Sequence, residues 1–114
     1  MEKHIVNDPR TLALESLRGL VTSHPDLDFE ETYRIVKRGP KTAKSISQKV
    51  QLVSGGGSGH EPSFAGMVGT GLLDASVCGN VFASPNVGQI RRGVELVSGD
   101  NGDGSMGVLM IIMR

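Results

Sequence analysis

Ala13, Leu17, Leu20 and Val21 recur at helical spacing, with His24 closing the stripe. Asn7-Asp8-Pro9 reads as the start of that helix, with Asp8 as N-cap and Pro9 at the first helical position. Ser23-His24-Pro25 ends it, because a residue before proline avoids the α region. Residues 25–32 are polar, anchored by Leu27 and Phe29, and Tyr33 to Arg38 predicts a short strand. Residues 39–49 read as an exposed loop.

Val50 to Val53 is a short apolar strand running into Ser54-Gly55-Gly56-Gly57-Ser58-Gly59-His60. A short helix is expected from Glu61-Pro62 to about Val68, stopped by Gly69-Thr70-Gly71. Leu73 to Gly79 is a second strand. Ser84 as N-cap and Pro85 at the next position open a helix with Val87, Ile90, Val94 and Val97 as its apolar stripe. Residues 98–104 form a turn-rich stop. Gly107 to Met113 is apolar without alternation, the pattern of a strand covered on both faces. The order predicts an α/β fold: three-layer β-α-β-α-β with a mostly parallel sheet, preceded by an N-terminal helix. The helix and short strand occupy 8–38 and the glycine-containing core 49–114.

Composition narrows the class. The 114 residues are too apolar (38%) and too weakly charged (21%) for a disordered chain. Twelve basic and twelve acidic side chains cancel, which leaves room for a local basic patch but not for a broad footprint for nucleic acid or anionic membrane. No apolar stretch approaches a membrane span, and the N-terminus lacks a secretory signal's apolar run. The single Cys78 fits a reducing compartment, so a soluble cytoplasmic protein is expected. The chain stops at Arg114, directly after its most apolar strand. Because α/β sheets bind ligands beyond the carboxyl ends of their strands, a fragment or shortened product is expected.

The glycine-rich run carries the strongest chemical signal, since it lets backbone N–H groups approach a ligand closely. It matches no P-loop: counted from Gly55, the sixth position is His60 and no Lys follows. The dinucleotide fingerprint fails at Pro62, and the nucleophile elbow fails at His60. The bland alternative is a tight strand-to-helix connection with no ligand. His60, at the end of the run, suits a general base or a donor to a substrate oxygen. His4 and His24 have no such context. Ser84 reads as a helix cap that also sits where a hydroxyl or anion binds. Cys78, His60 and Glu61 form no metal-ligand spacing, and Asp100 to Gly104 lacks the completion of a calcium loop.

From Val50 to Pro85 the sequence resembles the dihydroxyacetone kinase family, in its substrate-binding K domain. The resemblance rests on Leu52-Val53-Ser54-Gly55-Gly56-Gly57-Ser58-Gly59-His60-Glu61-Pro62, on Ala65-Gly66, Gly69, Gly71 and Leu73, and on Phe82-Ala83-Ser84-Pro85. Asn7-Asp8-Pro9, Gly19-Leu20-Val21 and His24-Pro25-Asp26-Leu27 fit it too, so it spans nearly the whole chain but only the opening of a K domain. It implies phosphorylation of dihydroxyacetone, or of glyceraldehyde, on a primary hydroxyl. It also implies ATP and Mg2+ held by a separate helical L domain, in the same or another chain, and a homodimer of the complete protein. Some bacterial relatives take the phosphoryl group from a phosphotransferase protein. The resemblance assigns Gly57, Ser58, Gly59, His60 and Ser84 to substrate binding, with His60 as proton acceptor, and no metal ligand. The family's later N-Y-T-G-D segment and a further His are absent. Arg114 stands where its Asn is expected, and Met113 where some members have Lys. The 114 residues alone are therefore expected to lack kinase activity. The competing expectations are a non-catalytic binding or regulatory module and an inert truncated product.

Overall fold

The computed structural model describes residues 3–4, 6–40, 49–99 and 106–112. Most of the 39–49 loop, the stop beyond Gly99, Met113 and Arg114 lie outside the described residues. The elements run α1 (Leu12–Ser23), β1 (Leu27–Glu30), β2 (Ile35–Arg38), β3 (Gln51–Ser58), a single 3-10 turn (Ala65–Met67), β4 (Ala75–Val81), α2 (Val87–Ser98) and β5 (Val108–Ile111). The strands form one sheet in the order β1-β2-β4-β3-β5. β3 lies between β4 and β5 and is parallel to both, while β1 and β2 add an antiparallel hairpin at the other edge. The sheet is thus mixed, with a parallel half carrying the glycine run.

Side-chain alternation divides the core into two layers. Val36 and Cys78 face α1 and the 3-10 turn, meeting Leu17, Ala65, Val68 and Leu73, with Leu52 packed at the margin. Ile35, Val53, Ala75 and Val77 face the other way, toward Leu96 and Val97 of α2. This is the expected three-layer α/β arrangement. Among the described residues no helix is long and apolar enough to cross a membrane.

Several local expectations are corrected. Asp8 does not cap α1: its carboxylate accepts the Arg10 N–H at 2.9 Å in a preceding turn, and Thr11 is the N-cap. Leu27 to Glu30 pairs with β2 as a strand, although every side chain in it is only half-buried. The helix expected after Pro62 shrinks to the 3-10 turn. α2 starts two residues later than Ser84-Pro85 suggested. Asn86 is its N-cap, in a reciprocal pair: Gln89 N–H donates to Asn86 Oδ1 (2.9 Å) and Asn86 N–H to Gln89 Oε1 (3.0 Å). The buried face of α2 contains Gln89 and Gly93, while Val87 is exposed. Gln89 Nε2 also donates to the carbonyls of Tyr33 and Cys78, both at 3.0 Å, which anchors the helix start to the sheet. β5 is not covered on both faces. It is an edge strand whose Leu109 and Ile111 are exposed.

A buried charge cluster closes the amino ends of β3 and β4. Asp74 Oδ1 meets Arg38 Nη1 at 3.2 Å, and Asp74 Oδ2 meets Lys49 Nζ at 3.0 Å. The Leu52 N–H donates to the same Oδ2 at 2.8 Å.

Candidate functional site

The glycine run is not a turn but the second half of β3. Ser54, Gly55 and Gly56 stay in register with Ser76, Val77 and Cys78 of β4, and the ladder slips between Gly56 and Ser58. That slip is a bulge, the usual device for re-aiming the end of a strand. The chain leaves the sheet at Gly59, whose φ of +116° suits glycine.

The glycines also serve packing. A Cβ at Gly55 would collide with the Val77 backbone, and one at Gly56 would lie 2.8 Å from the Phe64 ring. At Gly57 it would meet the Ala83 backbone at 3.0–3.3 Å, and at Gly79 it would strike the Ala83 to Pro85 backbone. The number of glycines therefore does not by itself demand a ligand. What it does is bring two backbone segments together, 55–59 and 82–85.

The second segment is tied to the first. Phe82 N–H donates to the Ser58 carbonyl at 2.7 Å, and Ser58 Oγ donates to the Gly79 carbonyl at 2.9 Å. The Ser58 hydroxyl is thus buried and turned toward β4. Ser84 sits in this loop and lines a cleft of about 170 Å3 with Gly55, Gly56, Pro85, Ile90, Met110 and Ile112. The cleft lies over the middle of β3 and the carboxyl end of β5, and Gly57, Ser58 and Gly59 do not line it.

His60 is exposed and does not line that cleft. Its ring stands edge-on to Phe64, with centroids 5.8 Å apart and planes at 87°. Beside it, the Glu61 carboxylate accepts the Gly59 N–H at 3.0 and 3.2 Å. Gly57, Ser58 and Gly59 therefore meet the Phe82–Pro85 loop through the backbone, with Ser84 lining the cleft and His60 following Gly59 outside it. Sequence reasoning placed Glu61 next to His60 but missed the Phe64 ring against His60 and the Glu61 carboxylate on the Gly59 N–H.

Cys78 lies beneath this end of the sheet. Burial pushes its thiol up from its ordinary range, against a weaker opposing contact from Ser76 Oγ at 3.7 Å. It is held as an inert thiol. Among the described residues no group of three or more His, Cys, Asp or Glu side chains is placed to hold a metal ion.

Comparison with known proteins adds the remaining findings. The family profile described as the Dak1 domain matches residues 18–114. The dihydroxyacetone-binding subunit DhaK of the PTS-dependent dihydroxyacetone kinase of Lactococcus lactis is 44% identical over 97% of this chain and 31% of its own length. The crystal structure of the dihydroxyacetone kinase of C. freundii superposes with a TM-score of 0.73 at 28% identity, covering 99% of this chain and 25% of that one. A solved protein described for regulation of the dha operon of Lactococcus lactis gives a TM-score of 0.72 at 34% identity, over 86% of this chain and 28% of its own. The chain spans less than a third of the length of the curated relatives it matches.

Proposed function

We infer, from the premise that this chain belongs to the dihydroxyacetone kinase family through its Dak1 domain, that it supplies part of the binding site for a small ketotriose. The substrate class is dihydroxyacetone or glyceraldehyde. The reaction of the longer protein is phosphoryl transfer from ATP to a primary hydroxyl, in the cytoplasm. The chain forms the opening portion of a K domain, with 8–38 as its N-terminal part and 49–114 as its core.

The observation that carries this reading is the meeting of β3's glycine end with the Phe82–Pro85 loop at the carboxyl ends of parallel strands. Gly57, Ser58 and Gly59 bring the backbone close to a compact ligand, Ser84 offers a hydroxyl from the facing loop, and His60 accepts the proton of the reacting hydroxyl. ATP and Mg2+ belong to a separate L domain, in the same or a partner chain, and the complete protein is a homodimer.

A chimera tests the reading. This chain replaces the corresponding quarter of the C. freundii kinase, and phosphorylation of dihydroxyacetone is followed with and without His60→Ala. Removing a general base is expected to lower kcat by about 10²–10⁴-fold. An active chimera indifferent to His60→Ala removes the catalytic role. One observation favours a second reading, a non-catalytic regulatory module: the likeness to the protein described for regulation of the dha operon. A folded chimera that binds dihydroxyacetone but never turns it over supports that alternative.

A further inference from the structure

Phe82 is an outlier for a phenylalanine in its backbone conformation. Its φ is +51°, a left-handed conformation that bulky side chains avoid. Its side chain is 83% exposed, so burial of the ring does not account for it. The other described non-glycine residue with positive φ, Arg34, sits in the hairpin turn between β1 and β2 and has an evident local use. Its Nε donates to the Cys78 carbonyl at 3.3 Å.

The surroundings of Phe82 point to one purpose. Its N–H holds the Ser58 carbonyl at 2.7 Å, which lays the loop along the end of β3. Its ring edge lies 3.0–3.4 Å from the point where a Cβ of Gly59 would be. The Glu61 carboxylate holds the N–H of the same Gly59. The Phe82 ring thus stands over the side of Gly59 where a side chain would be, and a carboxylate holds the Gly59 N–H, immediately before His60.

We propose that Phe82 is a positioning residue, kept in a strained conformation because its ring fixes Gly59 and thereby the approach of His60 to the ligand. The proposal rests on the ketotriose reading for what the fixed segment does, but not for the fixing itself. Strain at such a point persists only where the surrounding structure over-determines it. A base must be held within hydrogen-bond reach of its proton, and small misplacements cost rate heavily.

Two substitutions separate the ring from the backbone. Asparagine tolerates the left-handed region, so Phe82→Asn keeps the loop and deletes the ring; Phe82→Tyr keeps the ring. Backbone 15N order parameters are measured on the 114-residue chain. In Phe82→Asn, Gly59 and His60 are expected to fall from about 0.85 toward 0.6 while Val53 is unmoved. The thermal midpoint stays level or rises, because strain is relieved. Phe82→Tyr matches the parent. Dihydroxyacetone affinity falls roughly 10- to 100-fold in Phe82→Asn only. Unchanged order at Gly59 and His60 overturns the proposal, as does a midpoint that drops with order lost across the sheet. Equal affinity in parent and Phe82→Asn overturns its functional half. A parent that does not bind dihydroxyacetone refutes the ketotriose reading, and the order parameters then still decide the positioning claim.

Discussion

Replacing Asp74 with asparagine removes one negative charge from beneath β3 and β4 and changes little else in shape. Its carboxylate is 2% exposed and its partner Arg38 5%, so neither has water to fall back on. Breaking a buried pair by neutralising one partner typically costs about 3–5 kcal/mol, because the remaining charge loses its counter-charge. Lys49, at 40% exposure, can turn into solvent, and its share is nearer the surface value of about 0–1 kcal/mol. Asp74→Ala additionally strips the acceptor from the Leu52 N–H, a further loss of about 1–3 kcal/mol. A chain of 114 residues has about 6–17 kcal/mol of stability in total, so Asp74→Asn spends a large part of it. Urea unfolding followed by far-ultraviolet circular dichroism measures this. With a slope near 2 kcal/mol per molar, the midpoint should fall by about 2 M at unchanged slope. Asp28→Asn is the control, since its pair with Lys37 at 2.8 Å is half-exposed and worth less than about 1 kcal/mol. If Asp74→Asn costs no more than Asp28→Asn, the buried-pair argument is wrong.

Further outcomes are expected. Gly19→Ala, in an open part of α1 with nothing near its Cβ position, should stabilise by about 0.5–1 kcal/mol; Gly93→Ala should destabilise by about 1–3 kcal/mol, because its Cβ would lie 2.6 Å from Val77 Cγ2. Thermal melts of the two variants check the opposite signs. Gln89→Ala loses the side-chain half of the reciprocal cap and leaves the Tyr33 carbonyl without this donor, while the Cys78 carbonyl keeps Arg34 Nε, for a cost of about 1–3 kcal/mol in the same melts. Cys78 should react with iodoacetamide only as fast as the protein opens, so native and urea-unfolded rates differ widely. Its raised native pKa means that the unfolded thiol ionises first. Stability should therefore fall as pH climbs above the unfolded value of about 8.5, an effect that Cys78→Ala abolishes.

The parts of the fold set by local pattern were legible in the chain. The stripe around Leu17 gave α1, and the alternation of strands with helical segments gave the three layers. What escaped was non-local. The glycine run looked like a turn because glycine is a poor strand former, yet pairing with Val77 and Cys78 of β4 holds Gly55 and Gly56 in the ladder. β1 was missed because its side chains are all half-buried and show no period of two. The Arg38–Asp74 pair spans 36 positions, a distance at which no sequence period speaks. α2 was displaced because Asn86 and Gln89 make a stronger cap than Ser84. Of the candidate site, the residues were legible and their arrangement was not. Ser84 lines the cleft, whereas Gly57, Ser58, Gly59 and His60 do not, and the His60 ring stands against Phe64.

The most direct measurement is a 1H–15N titration of this chain with dihydroxyacetone. The account predicts saturable shifts at Gly57, Ser58, Gly59, His60 and Ser84, with the β1–β2 hairpin silent. Shifts absent at high millimolar concentration, or centred instead on the opposite end of the sheet around Arg38 and Thr70, would contradict it.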